Sequence, residues 1–387
     1  MTSTFAVVLA GGGPRGAYEA GVLSVLLPAL EIGGMKADVF VGTSAGAINA
    51  VGFAALSHLD AAASSAAVLD LWREVHAASV VRAPLRAGRS GAKGRRAGAL
   101  LDTSPLLATL DRIVDWKSLH ASIESGGIAA VGVVATSSST RDSTVFVETA
   151  PGLGCPPPDA RRAITYVPTT LGPRHVAASS AIPVAFPAVE VTDPAVAAGW
   201  YFDGGVRLNT PIKPAIALGA RRVLVVATSP AAPDMATPAG APPPPPGIAA
   251  GAAELLYAIL DDRMVEDLRA LARRNDPDVD GNVIPWTFGG PAAGDGGLLG
   301  RLACEVLEGV GPGPARPHSP LAAVARRALG RALAGDPSRG EAFSYAFFDA
   351  DFIDGAILLG QRDGARLIGL DGMPVWHEQA GGDAPVR

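Results

Sequence analysis

An α/β fold with a mainly parallel central sheet is the architecture this sequence predicts. Two successive strand–glycine turn–helix units occupy its first 56 residues, Phe5 to Leu30 and Val39 to Leu56. Further apolar runs at Ile128–Ala135 and Arg222–Thr228 have the length and β-branched content of buried strands. Over 387 residues, 48% are hydrophobic and 18% charged, enough apolar surface for a well-buried core and against disorder.

Phe5 to Ala10 is a compact apolar run, read as the first strand. Gly11-Gly12-Gly13-Pro14-Arg15-Gly16 follows, and Val22, Leu23, Leu26, Leu27 and Leu30 then recur at helical spacing. The glycine loop has two functional readings. Gly11-x-Gly13-x-x-Gly16 fits a dinucleotide fingerprint, with Glu31 or Asp38 as a ribose-binding acid. Alternatively, the N–H groups of Gly12 and Gly13 form an oxyanion hole, with Arg15 adding charge nearby.

The second unit decides between them in part. Val39-Phe40-Val41 leads into Gly42-Thr43-Ser44-Ala45-Gly46 and an Ala-rich helix from Ala45 to Leu56. G-x-S-x-G between a strand and a helix is the pattern of a nucleophile elbow. A turn this sharp strains its central residue, and side chains at Gly42 or Gly46 would collide with strand or helix. Ser44 then stands at a helix N-terminus, where free N–H groups favour developing negative charge. A nucleophile lies where the dinucleotide reading expects a ribose acid.

Helix is predicted to continue from Leu56 to Leu71, and Asp102-Thr103-Ser104-Pro105 reads as another helix start. Thr144–Val147 pairs beside the strand at Ile128–Ala135, and Gly152–Pro158 is a loop. His175 to Pro183 is a short helix stopped by proline, and Trp200-Tyr201-Phe202 a short strand ending in Asp203-Gly204-Gly205. Pro230 to Gly247 reads as a proline-rich linker, followed by an amphipathic helix marked by Leu255, Leu256, Ile259, Leu260, Leu268 and Leu271. Gly289–Pro320 is loop-rich, and Phe343–Leu359 returns to strand and helix signals.

A serine hydroxyl needs a base. A Ser…Asp…His order using Asp203 and then His318 or His377 would match an ordinary α/β-hydrolase, but there the elbow follows several strands, not one. Asp203, at a strand end beside two glycines, is the alternative: a carboxylate that takes the proton directly. With a reference pKa of about 3.9 it is a weak base unless burial raises it.

These pieces together resemble the patatin-like phospholipases. The ordered blocks are Gly11 to Leu23, Gly42 to Gly46, Ala178-Ser179-Ser180-Ala181-Ile182-Pro183, and Asp203-Gly204-Gly205, with Asn209-Thr210-Pro211 and the strand at Arg222–Thr228 in fitting places. The resemblance implies a three-layer α/β/α fold and a lipid acyl hydrolase working through an acyl-enzyme. It implies Ser44 as nucleophile, Asp203 as base, Gly12, Gly13 and Arg15 on the oxyanion loop, and neither metal nor organic cofactor. It also implies one domain over 1–387, with core blocks at about 5–230 and 343–370 and a variable segment at 231–340. The family often has two prolines after the phenylalanine near Pro187, whereas Ala188 stands second here. A catalytically silent lipid-binding regulator of the same fold and a dinucleotide-binding protein using the Gly11–Gly16 loop are the competing readings.

Charge and composition bound the partners. A net charge of −5 gives no global basic field for nucleic acid. The two cysteines, Cys155 and Cys304, lack metal-site spacing. No basic leader precedes an apolar core at the N-terminus, and no long uninterrupted apolar stretch exists, so a cytoplasmic protein is expected. Val81–Leu101 carries Arg82, Arg86, Arg89, Lys93, Arg95 and Arg96 without an acid, and reads either as a solvated flexible loop or as a flap that makes peripheral contact with an anionic membrane surface.

Overall fold

The computed structural model describes residues 4–81, 102–231, 251, 262–275, 283–292, 297–309 and 339–377. The first strand, β1 (Phe5–Leu9), alternates between two apolar environments. Phe5, Val7 and Leu9 enter one core, and Ala6, Val8 and Ala10 the other. That alternation is what a strand covered by helices on both sides requires.

On the first face lie α1 (Gly16–Ile32), α2 (Ala45–Ala55) and α3 (Ala61–Glu74), with residues of the C-terminal helix α12 (Ala350–Arg366) in the same core. On the second lie α8 (Ile212–Ala217) and α9 (Asp262–Arg274). Between them, β2 (Val39–Thr43), β3 (Ala130–Ser137), β4 (Ser143–Thr149), β5 (Ile164–Pro168), β8 (Arg222–Val226) and β9 (Trp286–Gly289) join β1 in the order β5-β4-β3-β2-β1-β8-β9. Every neighbouring pair on that path is parallel except β3 with β4. The architecture is a mixed α/β fold with a mostly parallel central sheet flanked by helices, as the sequence predicts.

Several elements differ from expectation for local reasons. Helix does not run on from Leu56 to Leu71. α2 ends at Ala55, and α3 restarts where the Asp60 carboxylate accepts the Ala63 N–H at 2.7 Å. The helix before Pro183, α7 (Pro173–Ser179), starts on Pro173. Within the stretch expected to be loop-rich, α10 (Leu298–Glu308) forms between Gly297 and Gly309, both with φ near +75°. Around Phe343 there is no strand; α11 (Arg339–Ser344) and α12 follow one another. The remaining elements are α4 (Ala77–Val80), α5 (Ser104–Ile113), α6 (Trp116–Glu124), β6 (Val189–Val191) and β7 (Gly199–Asp203).

The basic stretch 82–101, most of the proline-rich linker and His318 lie outside the described residues. Among the described residues, no helix is long and apolar enough to cross a membrane.

Candidate active site

Sheet topology brings two strand ends together. β3 pairs with β2 as far as Val134, opposite Thr43, and then with β7 from Ala135, opposite Asp203. Because β4 fills the other edge of β3 along this stretch, β7 must lie on the β2 side. The C-terminal end of β2 therefore meets the C-terminal end of β7, and the residue after Thr43 is Ser44.

Ser44 caps α2 with φ 54° and ψ −122°, a conformation that costs a non-glycine residue about 1–3 kcal/mol. Neighbours hold it there. A Cβ on Gly42 would collide with the Gly46 carbonyl, and one on Gly46 with the carbonyls of Leu9 and Ala10. The Ser44 N–H donates to Ser179 Oγ at 2.8 Å, and that hydroxyl donates in turn to the Val134 carbonyl at 2.5 Å. Ser179 thus ties the elbow to β3.

With its backbone so fixed, Ser44 Oγ donates to Asp203 Oδ2 at 2.7 Å. The other carboxylate oxygen, Oδ1, accepts the Gly205 N–H at 2.7 Å, and the Thr136 hydroxyl holds the Asp203 carbonyl at 2.9 Å. Both side chains are buried. Burial pushes the Asp203 carboxyl up to about 6, against the downward pull of the Ser44 and Gly205 hydrogen bonds. The carboxylate is thereby a better base than a free aspartate and is still ionised at neutral pH.

The five described histidines are engaged elsewhere. His58 meets the Ala55 carbonyl, His76 caps α4, and His120 pairs with Glu148 at 2.8 Å. His175 bonds Gly172 N and Asp193 O, and the His377 ring stacks on Trp286. The acids required by the dinucleotide reading are likewise occupied. Glu31 accepts the Ala61 N–H at 2.7 Å and Asp38 the Phe5 N–H at 2.8 Å.

The glycine loop passes beside the serine. Asn209 pins its start, accepting the Gly11 N–H at 3.0 Å and donating to the Gly11 carbonyl at 3.2 Å. Among the described residues, the N–H groups of Gly12 and Gly13 donate to no protein acceptor, and Gly13 lines the same cavity as Ser44. Arg15 behaves otherwise than expected. Its guanidinium is fully buried and bonded to Glu341 and Ser344 of α11, so its charge is already paired within the protein.

An apolar cavity adjoins the serine, walled by Ile48, Trp72, Leu110, Phe186 and Phe348 among others. Two polar walls are internally satisfied: the Thr109 hydroxyl donates to Ser79 O at 2.7 Å and Ser180 Oγ to Val176 O at 3.0 Å. The arrangement places an apolar cavity beside the Ser44 hydroxyl. A second cavity, bounded by Leu27, Met35, Phe40 and Phe53, does not include Ser44 or Asp203 in its wall.

A model of the patatin-like phospholipase family matches residues 7–216, more than half of the chain. The chain belongs to the patatin-like phospholipase family. Its members are lipid acyl hydrolases in general. Among solved structures, VipD from Legionella pneumophila is similar at 14% identity, over 92% of this chain and 67% of that one, with a TM-score of 0.31. No curated protein matches significantly.

Ser44, Asp203, the glycine loop and Asn209 all fall inside the patatin-like match, whereas Phe348 and the partners of Arg15 fall outside it. Sequence reasoning gives Ser179 and Asn209 no role, although both sit in the motif blocks. Their type and place are visible there, but not that each holds a backbone group across the sheet. Thr136 carries no signal at all.

Proposed function

We propose that the chain hydrolyses fatty-acyl esters of phospholipids, lysophospholipids or related lipids through a Ser44–Asp203 dyad and an acyl-enzyme. The observation that carries this reading is the 2.7 Å hydrogen bond from Ser44 Oγ to Asp203 Oδ2 at the mouth of α2. Ser44 Oγ attacks the ester carbonyl carbon while its proton passes to Asp203. Negative charge gathers on the carbonyl oxygen, where the N–H groups of Gly12 and Gly13 and the first turn of α2 receive it. The tetrahedral species collapses, the alcohol leaves with the proton from Asp203, and the acyl group stays on Ser44. Water, deprotonated by Asp203, then releases the fatty acid and restores the serine.

The apolar cavity supports an aliphatic acyl group, since each buried methylene contributes about 0.8 kcal/mol. A panel of lipids read by mass spectrometry names the products. Ser44→Ala is expected to abolish turnover and labelling by a fluorophosphonate. Asp203→Asn, which keeps the size of the side chain, is expected to lower kcat by about 10²–10⁴-fold. A Ser44→Ala protein with undiminished esterase activity rejects the dyad. Hydrolysis absent from the unaltered protein, with no fluorophosphonate label on Ser44, would instead favour a silent lipid-binding protein.

A further inference from the structure

We infer that Glu341 and Ser344, outside the family match, are positioning residues that set the oxyanion loop through Arg15. The inference rests on the hydrolase reading for its kinetic consequences, but its structural content stands apart from it. Arg15 closes the short helical turn Gly13–Arg15 and caps α1, so its side chain is the loop's own handle. That side chain is wholly buried. Its Nε donates to Ser344 Oγ at 2.9 Å, and its Nη2 donates to Glu341 Oε1 at 2.6 Å and to the Glu341 carbonyl at 2.9 Å. Ser344 Oγ in turn donates to that carbonyl at 2.7 Å. The guanidinium carbon lies 3.7 Å from the centre of the Tyr345 ring.

A second contact acts on the loop backbone itself. Gly13 has φ +59°, and any Cβ there would strike the Tyr345 carbonyl. The C-terminal segment therefore grips the loop twice, at the guanidinium and at Gly13. It also places Phe348 in the wall of the cavity at Ser44. A buried arginine whose charge is paired in this way does not serve the oxyanion as a free cation; its part is to aim the N–H groups of Gly12 and Gly13. Misplacement of such donors by about 1 Å can cost on the order of 10²-fold in rate.

The test uses Ser344→Ala, a mild change, and Glu341→Gln, which keeps an acceptor and removes the charge. Both proteins are first checked for unchanged secondary structure by circular dichroism. The expected result is a fall in kcat of about tenfold or more, with KM within about twofold and the pH midpoint of the rate unmoved, because the dyad and the acyl cavity are untouched. Hydrogen exchange supplies the readout that does not need turnover: amides of residues 11–17 should exchange faster in both variants. Unchanged exchange in that loop, in either folded variant, overturns the inference. So does a wild-type kcat, or a loss that appears mainly in KM with a displaced pH midpoint. An inactive unaltered protein would count against the hydrolase reading alone, since the exchange measurement still decides this one.

Discussion

Asp203 carries two opposed demands on one carboxyl group. Burial raises its pKa from 3.8 to about 6, so the fold prefers the protonated form and the proposed chemistry needs the ionised one. The sign of the stability effect follows. A raised folded-state pKa contributes stability that is fully present below the unfolded value near 3.9 and is lost as pH rises through about 6. Keeping the buried group ionised at neutral pH then costs the folded state about 3 kcal/mol, because a tenfold change in proton affinity is worth about 1.36 kcal/mol. Asp203→Asn should raise thermal stability at pH 8 and remove this part of its pH dependence, while turnover is lost. In the unaltered protein, kcat/KM should climb with pH to a plateau, half-risen near 6. Calorimetry across roughly pH 4–8 with a matched rate profile measures both; a stability of the variant at pH 8 no higher than the parent's contradicts the account. Ser179→Ala tests the neighbouring strain. Without its hydroxyl the Ser44 N–H loses its 2.8 Å acceptor, so a destabilisation of about 1–3 kcal/mol is expected, together with slower fluorophosphonate labelling. Thermal unfolding with timed labelling reads both quantities.

At the scale of elements, Trp72 on α3 links the cavity to the glycine loop. Its indole is fully buried, lines the cavity beside Ser44 and occupies the space a Cβ on Gly16 would need. The ring is fixed from behind. Trp72 Nε1 donates to Asn49 Oδ1 at 2.7 Å, and Asn49 Nδ2 donates to Gly16 O and to the buried Glu19, each at 3.0 Å. A rigid ring in that place should limit acyl length. Trp72→Leu is expected to move the preferred chain of an ester series upward. Each further methylene accommodated is worth about 0.8 kcal/mol, or about fourfold in kcat/KM. An unchanged chain-length profile would mean that some other wall ends the pocket.

The same scale shows why some elements are legible in the sequence and others are not. β1, β2, β3 and β8 announce themselves because both faces are covered and their sequences are nearly unbroken apolar runs. β5 and β9 hide because Thr165, Pro168, Thr287 and Gly289 interrupt that signal. α10 is obscured by flanking glycines, which in the structure end the helix rather than dissolve it. Ser44 can be read from an elbow whose glycines are dictated by close backbone approach. Asp203 can be read only as a candidate, since its meeting with Ser44 depends on β7 taking over from β2 along β3, a pairing that no local pattern encodes. Arg15 misleads for a related reason: its partners lie more than 300 positions away.

For the molecule as a whole, charge is unevenly placed along the chain. The net value is −5, yet Val81–Leu101 carries six cations and no acid, so the remainder is more acidic still. The stretch joins α4, which helps wall the cavity at Val80, to α5, which contributes Leu106 and Leu110 to it. The two helices that flank it in the chain thus both line the cavity that adjoins Ser44. We propose that these cations hold the enzyme to anionic lipid surfaces with the cavity near the bilayer. Each basic residue close to such a surface is worth about 1 kcal/mol, an attraction that fades beyond a Debye length of about 10 Å at 0.1 M salt. Binding to vesicles containing anionic lipid should then exceed binding to neutral vesicles at low salt and weaken steeply as salt rises. Replacing Arg82, Arg86, Arg89, Lys93, Arg95 and Arg96 by glutamine should equalise the two vesicle types, while hydrolysis of a soluble short-chain ester continues. Vesicle co-sedimentation at about 0.05 and 0.5 M salt, with the soluble ester assayed alongside, separates surface capture from catalysis. Equal binding of the unaltered protein to neutral and anionic vesicles at the lower salt would show that these cations do not direct it to the membrane.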